Sequence, residues 1–93
     1  MEFQFTETPK PQFFYEQDGE VLAIITYDVV DNDVFAVDHT FVSEKLRGQG
    51  VAKQLLEAVV DKAQKESKKI KPICSYVVTA FKRNPEYQKL EAK

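Results

Sequence analysis

Residues 47–52 read Arg47-Gly48-Gln49-Gly50-Val51-Ala52, and they stand where the chain changes from a strand-like to a helical pattern. Two glycines within three positions allow positive φ and let an anion come close to the backbone. The first N–H groups of the helix that follows have no intrahelical partners, so dipole and free donors act on the same anion, and Arg47 adds a charged fork at the mouth. Two readings fit this spacing alone: a bend that holds phosphate, or a plain loop whose glycines only turn the chain.

Downstream of the bend, Ala52, Leu56, Val59 or Val60, and Ala63 recur at helical spacing, with Val51 and Leu55 beside them. Lys53, Glu57, Asp61, Lys62 and Lys65 take the other side and read as a solvated face. This predicts one helix over about residues 49–66, packed on a sheet. Asp61 and Lys65 form a favourable i,i+4 pair, and Lys65, Lys68 and Lys69 suit the negative end of the dipole.

Upstream, Gln12–Gln17 and Glu20–Asp28 are rich in aromatic and β-branched residues, and Asp18-Gly19 between them is a pair that tight hairpins prefer. Asp31-Asn32-Asp33 separates Val21–Val30 from a third run, Val34–Val42, which predicts an antiparallel meander. Phe3–Thr6 adds a short edge strand before Thr8-Pro9-Lys10-Pro11 interrupts the ladder, because proline lacks a donor. Beyond the helix, Ile70–Tyr76 should return beside the third strand, with Pro72 keeping it at an edge or splayed. Strand, helix, strand implies a parallel pair. Val77–Arg83 reads as a second, short helix stopped by Asn84-Pro85, and Glu86–Lys93 as a polar tail with Tyr87 and Leu90 for anchors. The expected architecture is a single α/β (α+β) domain over residues 1–93: a mostly antiparallel sheet of four or five strands, one main helix and a short C-terminal helix.

The chain has 93 residues, 43% of them hydrophobic, with seven Phe and four Tyr, enough for one real core. A net charge of −2 argues against a general grip on nucleic acid or an anionic membrane. Cys74 is the sole cysteine, which excludes an intrachain disulfide and any site needing two or four thiolates, and no metal is expected. Met1-Glu2-Phe3-Gln4-Phe5 is unlike a secretory signal, and no apolar stretch is long enough to span a bilayer. A soluble, cytoplasmic monomer is the expectation.

In this setting, residues 47–52 match the acyl-CoA-binding pattern (Gln/Arg)-x-x-Gly-x-(Gly/Ala) of the GCN5-related N-acetyltransferases. His39-Thr40-Phe41-Val42, Leu46–Ala52, Pro72-Ile73-Cys74-Ser75-Tyr76-Val77 and Asn84-Pro85-Glu86-Tyr87 resemble the very small single-domain branch of that superfamily, over about residues 12–90. The resemblance implies acetyl-CoA or CoA as cofactor, with its pyrophosphate on N–H groups of Gln49–Ala52 and with Arg47 and Gly48 alongside. It also implies that the third strand and the Ile70–Tyr76 strand splay apart, so that the pantetheine arm lies between them as a partial extra strand, in a slot lined by Phe41 and Val42. Asn84 and Tyr87 fall where the superfamily often contacts the cofactor arm or thiol, and serve equally well as helix stop and apolar anchor. The implied function is acetyl transfer to an amine of a small molecule or a protein; the alternative is an acyl-CoA-binding sensor or carrier without significant turnover. Larger members carry helices between their first two strands, whereas Asp18-Gly19 here leaves no room for them, so the acceptor side is open or completed by a partner.

Amide formation from a thioester needs an uncharged amine, a stabilised oxyanion and a proton for the departing thiolate. The resemblance sets Cys74 at the end of the strand flanking the cofactor's thiol, just before the Val77 helix, whose N-terminus favours a thiolate. There it could act as nucleophile or as proton donor in a direct transfer, the usual course in the superfamily; otherwise it is a small buried apolar residue. His39 is the only histidine, a residue type suited to act as base for an ammonium substrate, or it only orients. The spacing of 39 and 74 does not place the two side chains within reach of each other. Backbone N–H groups around Phe41 and Val42 are the expected oxyanion donors. Tyr76 reads as core or slot lining rather than as an acid; Lys82 and Arg83 could meet the cofactor's 3′-phosphate, though solvated surface is the preferred reading.

Overall fold

A computed structural model describes residues 1–92. Its strands are β1 (Gln4–Thr6), β2 (Gln12–Gln17), β3 (Glu20–Val30), β4 (Val34–Val42) and β5 (Lys69–Pro72); its helices are α1 (Val51–Lys65), α2 (Ser75–Arg83) and α3 (Pro85–Gln88). The sheet runs β1-β2-β3-β4-β5, antiparallel throughout except for the parallel β4–β5 pair. Asp18 and Gly19 both take positive φ, 53° and 80°, the turn geometry whose twist matches a hairpin.

One face of the sheet is covered by α1. Its buried side chains Val51, Leu55, Leu56, Val59, Val60 and Ala63 form one cluster with Ala23, Ile25, Tyr27, Phe35, Val37 and Ile70 of the strands. Strand alternation puts those sheet residues on a single face, which is why a period of two upstream and of 3.6 downstream meet in one core. Val77 and Phe81 of α2 close the same core, with Tyr87 packed on Phe81 at 5.4 Å between ring centroids. Tyr27 and Phe35 stack at 4.3 Å in its centre. Phe35→Ala should therefore cost about 3–5 kcal/mol, from lost transfer energy and the cavity left behind. Urea unfolding checks this; a loss under about 1 kcal/mol, the size of a surface change, would contradict the packing.

The structure corrects several boundaries. β5 ends at Pro72 and does not continue to Tyr76, because the N–H groups of Ile73 and Cys74 both donate to the carbonyl of Val37, each at 3.0 Å, and turn the chain out of the ladder. Cys74 consequently lies beyond the strand as the N-cap of α2, which starts at Ser75 and not at Val77. α1 starts at Val51 and not at 49, since Gly50 has left-handed φ 67° and cannot belong to a right-handed helix. With β1 in place, the link between the first two strands is the segment from Glu7 to Pro11 and not Asp18-Gly19; it too is too short for helices. The C-terminal segment is more than a tail. Ile70 N–H donates to the Leu90 carbonyl at 2.7 Å and Ala92 N–H to the Ile70 carbonyl at 2.8 Å, so it pairs with the free edge of β5. Of the expected 86–93 tail, Lys93 lies outside the described residues.

Two irregularities position everything below. β4 pairs with β5 only from Val34 to Val37, so its remainder, Asp38–Val42, has no strand partner on that side. At the same point the β3–β4 register shifts, Thr26 opposing His39 and Tyr27 opposing Val37, which leaves Asp38 as an extra residue in a bulge.

Candidate active site

The glycine bend is pinned from both ends. Ser43 Oγ accepts from Lys45 N–H at 3.2 Å to cap a single 3-10 turn, Glu44–Leu46, whose Leu46 is buried in the core. After it, Gly48 (φ 82°) and Gly50 (φ 67°) take left-handed conformations that side chains resist, and Gln54 N–H closes the first helical turn on the Gly50 carbonyl at 3.1 Å. Gly50 has no side chain to cap the helix, and the N–H groups of Val51, Ala52 and Lys53 have no acceptor among the described residues. The start of α1 thus presents free donors and a positive dipole end together. Arg47 sits at the rim, its guanidinium 3.2 Å from Glu44 Oε1 in a fully exposed pair that holds it only weakly.

The unpaired stretch of β4 forms one wall of a slot. Thr40 and Val42 oppose Ile25 and Ala23 and so share the face covered by α1; His39 and Phe41 oppose Thr26 and Ile24 and belong to the uncovered face, where Phe41 is 46% exposed. Across the gap, Cys74 Sγ lies 3.6 Å from Thr40 Oγ1. Burial pushes the Cys74 thiol up, but the Thr40 hydroxyl and the N–H groups of Val77 and Tyr76 in the first turn of α2 outweigh it and hold the thiol below its ordinary range. His39 and Cys74 are therefore on opposite faces of the slot, and no Cys–His pair forms; the partner of the thiol is Thr40. The reason is the strand period: neighbours along β4 point to opposite sides.

A cavity of about 480 Å³ opens between α1 and α2, lined by Lys53, Leu56, Tyr76, Ala80, Arg83, Asn84, Pro85 and Tyr87. Asn84 reaches it, but its Oδ1 accepts from Glu86 N–H at 2.9 Å and Tyr87 N–H at 3.4 Å, so the oxygen is engaged in capping α3. The sequence marks Lys53 only as part of a solvated face, and leaves Arg83 between solvated surface and a phosphate contact. Tyr76, Ala80 and Arg83 share one helical face once α2 begins at Ser75, a signal hidden by starting that helix at Val77. Burial, with Glu57 adding a like-signed push, raises the Tyr76 phenol, which stays protonated and able to donate at neutral pH. Burial, Glu57 and Tyr76 do the same for Tyr87.

On the uncovered face the bulge turns Asp38 outward. Its Oδ1 accepts from Thr26 Oγ1 at 2.7 Å and its Oδ2 from Lys10 Nζ at 2.6 Å, while Lys10 also reaches Asp28 Oδ2 at 3.2 Å. Burial works against the Asp38 carboxylate, but Lys10 and then Thr26 hold it below the usual carboxylate range; Lys10 is raised, chiefly by Asp38. This cluster spans three segments of chain, and nothing in the spacing of 10, 28 and 38 marks it.

A mixed sheet opened between its two parallel strands, beside a helix with an uncapped N-terminus, offers an anion-binding end and an unpaired strand edge together. The chain belongs to the GCN5-related N-acetyltransferase family: the family model described as GCN5-related N-acetyl-transferase matches residues 12–90. It is 35% identical over 69 residues to Protein NATD1 of Homo sapiens and of Gallus gallus, a match covering 74% of this chain but only 61% and 63% of theirs. The solution structure of a GCN5-like protein from Staphylococcus aureus superposes with a TM-score of 0.79 at 37% identity, covering 98% of this chain and 87% of that one. A GNAT family acetyltransferase from Elizabethkingia anophelis, solved with acetyl-CoA bound, shares the fold at a TM-score of 0.56 and 22% identity, over 67% of this chain and 41% of that one. The chain thus spans less than two thirds of the curated relatives it matches, and the Elizabethkingia structure shows the shared fold. Among the described residues, no helix is long and apolar enough to cross a membrane.

Proposed function

We propose that this chain binds acetyl-CoA and transfers the acetyl group to an amine of a small molecule or a protein. One combination of observations carries the reading: the start of α1 has no side-chain cap, β4 is unpaired beyond Val37, and Cys74 Sγ stands 3.6 Å from Thr40 Oγ1 on that unpaired stretch. In it, the N–H groups of Gln49, Gly50, Val51 and Ala52 hold the diphosphate, Gly48 lets it approach, and Arg47 swings from Glu44 to add charge. The cavity between α1 and α2 receives the rest of the cofactor, with Lys53 and Arg83 as cations and Asn84 and Tyr87 at its rim.

The thioester supplies a carbonyl carbon that an amine lone pair can attack, a C–N bond forming as the C–S bond breaks. His39, on the uncovered face, takes a proton from the acceptor ammonium to free that lone pair. Backbone N–H groups near Phe41 and Val42 stabilise the developing oxyanion. Cys74 gives its Sγ proton to the departing sulfur and regains one from the amine nitrogen, which must shed a proton to become an amide. Thr40 holds the thiol in place for this. We further assign the chain to the cytoplasm as a monomer, without nucleic-acid or membrane partners, in keeping with its charge of −2.

The second reading is a sensor or carrier of acyl-CoA, favoured by the short, helix-free segment from Glu7 to Pro11 between β1 and β2. Calorimetric titration with CoA and acetyl-CoA, followed by an amine panel, separates the two. Saturable heat with acetylated product supports transfer; saturable heat without product above background leaves the carrier; no heat with either ligand removes both.

A further inference from the structure

The ion cluster on the uncovered sheet face has a composition that a purely structural pair does not need. Two carboxylates, Asp28 and Asp38, face one cation, Lys10, so a net negative charge remains after pairing. The Asp28 side chain is 58% exposed, and Lys10 and Asp38 are each about one third exposed, so the contact is open to exchange. Lys10 also rides on the link between β1 and β2, and not on the sheet itself. Thr26 fixes the Asp38 carboxylate independently, through its hydroxyl, so the seat survives if Lys10 leaves.

Its location matters as much. Asp38 follows Val37, the residue whose carbonyl anchors Ile73 and Cys74, so it opens the unpaired stretch of β4, with its carboxylate on the side opposite α1. His39 opposes Thr26 on that same face. One row further along, Phe14, Ile24 and Phe41 stand in register across β2, β3 and β4 and form an apolar strip ending at the exposed Phe41. Rows on one face are about 7 Å apart, two residues of strand rise. That is the reach of a primary amine whose nitrogen meets the carboxylates while its carbon body lies on the strip.

We propose that Lys10 is a built-in occupant of the acceptor's ammonium seat: its Nζ holds, against Asp38 and Asp28, the place taken by an incoming primary amine with an apolar body. Asp38 is the positioning residue, and the Phe14–Ile24–Phe41 strip selects for the body. This rests on the acetyl-transfer reading, whose acceptor class it names. A seat filled by the chain's own cation lowers the apparent affinity for every external amine by the fraction of time Lys10 occupies it.

The test is a titration of 15N-labelled protein with 2-phenylethylamine in the absence of acetyl-CoA, with 2-phenylethanol as the uncharged control. The amine is expected to shift the amides of Thr26, Asp38 and Phe41, and the alcohol to bind more weakly. Lys10→Met should tighten amine binding about fivefold, the weight of one partly exposed ion pair, and Asp38→Asn should weaken it at least as much. Should Asp38→Asn fail to fold, the exposed Asp28→Asn serves in its place. In turnover, Lys10→Met should lower KM for the amine about as much as it tightens binding, which a merely structural ion pair would not do. Unchanged or weaker amine binding in Lys10→Met, or an alcohol that binds as well as the amine, overturns the proposal. Amine binding that competes with Lys10 but yields no acetylated product upholds the seat and sinks the transfer. Acetylation with a KM indifferent to Lys10→Met does the reverse.

Discussion

Cys74→Ala is expected to slow acetyl transfer by about 10²–10⁴-fold, the usual contribution of a positioned general acid, with acetyl-CoA affinity close to that of the native protein. The thiol is suited to this role because its Sγ–H donates to Thr40 Oγ1 at 3.6 Å, and the thiolate left on losing that proton accepts from the Thr40 hydroxyl and from the N–H groups opening α2, which together outweigh the effect of burial. The folded-state value lies below the ordinary one, so the thiolate is favoured and the proton leaves more readily than from a free cysteine. Alkylation by iodoacetamide across a pH series reads this directly: its midpoint should fall below that of free cysteine, about 8.5, and should rise in Thr40→Val, which removes the first of the donors. Mass spectrometry after incubation with acetyl-CoA distinguishes the routes, since acetyl on Sγ means a covalent relay and its absence leaves direct transfer. A Cys74→Ala protein with native kcat would return this residue to the role of a packing group.

Gly50→Val should weaken CoA binding by about tenfold to a hundredfold, because the donors it disturbs are bonds to charged oxygens, each worth roughly 1.5–3 kcal/mol. The variant also strains the chain. A Cβ at φ 67° meets no atom within 4 Å, so the cost that it brings to folding is conformational, about 1–2 kcal/mol for a left-handed residue. Gly50→Asn separates these effects, since asparagine tolerates left-handed φ far better than a β-branched residue. It should melt close to the native temperature and lose less affinity than the valine variant. Calorimetry on both proteins, alongside thermal melts, provides the comparison. If valine at this position left CoA affinity untouched, the diphosphate would have to lie elsewhere than on the start of α1.

Much of the architecture was readable because it rests on local periodicity. The alternation in Gln12–Gln17, Glu20–Val30 and Val34–Val42, the Asp18-Gly19 turn, and the apolar stripe of Val51, Leu55, Leu56, Val59 and Ala63 each act within a few residues. Where periodicity was overruled, a distant partner did it. Ile70–Tyr76 looked like a strand, yet Ile73 and Cys74 bond to a carbonyl over thirty positions earlier, and the strand stops at Pro72. Glu86 to Ala92 looked like a solvated tail because the apolar anchors are few; its attachment to Ile70 is made by main-chain groups, which carry no side-chain signature.

The site divides the same way. By itself, the sequence determined the bend at residues 47–52, the helix after it and the return of the chain beside β4, since glycine φ freedom and free helix N–H groups are properties of a short segment. Only the tertiary structure decided that Cys74 faces Thr40 and not His39, that Arg83 and Lys53 share a cavity, and that Lys10 lies between Asp28 and Asp38. Those contacts depend on where the β4–β5 ladder ends and on the face to which a bulge turns one residue, and both follow from hydrogen bonds between segments far apart in the chain.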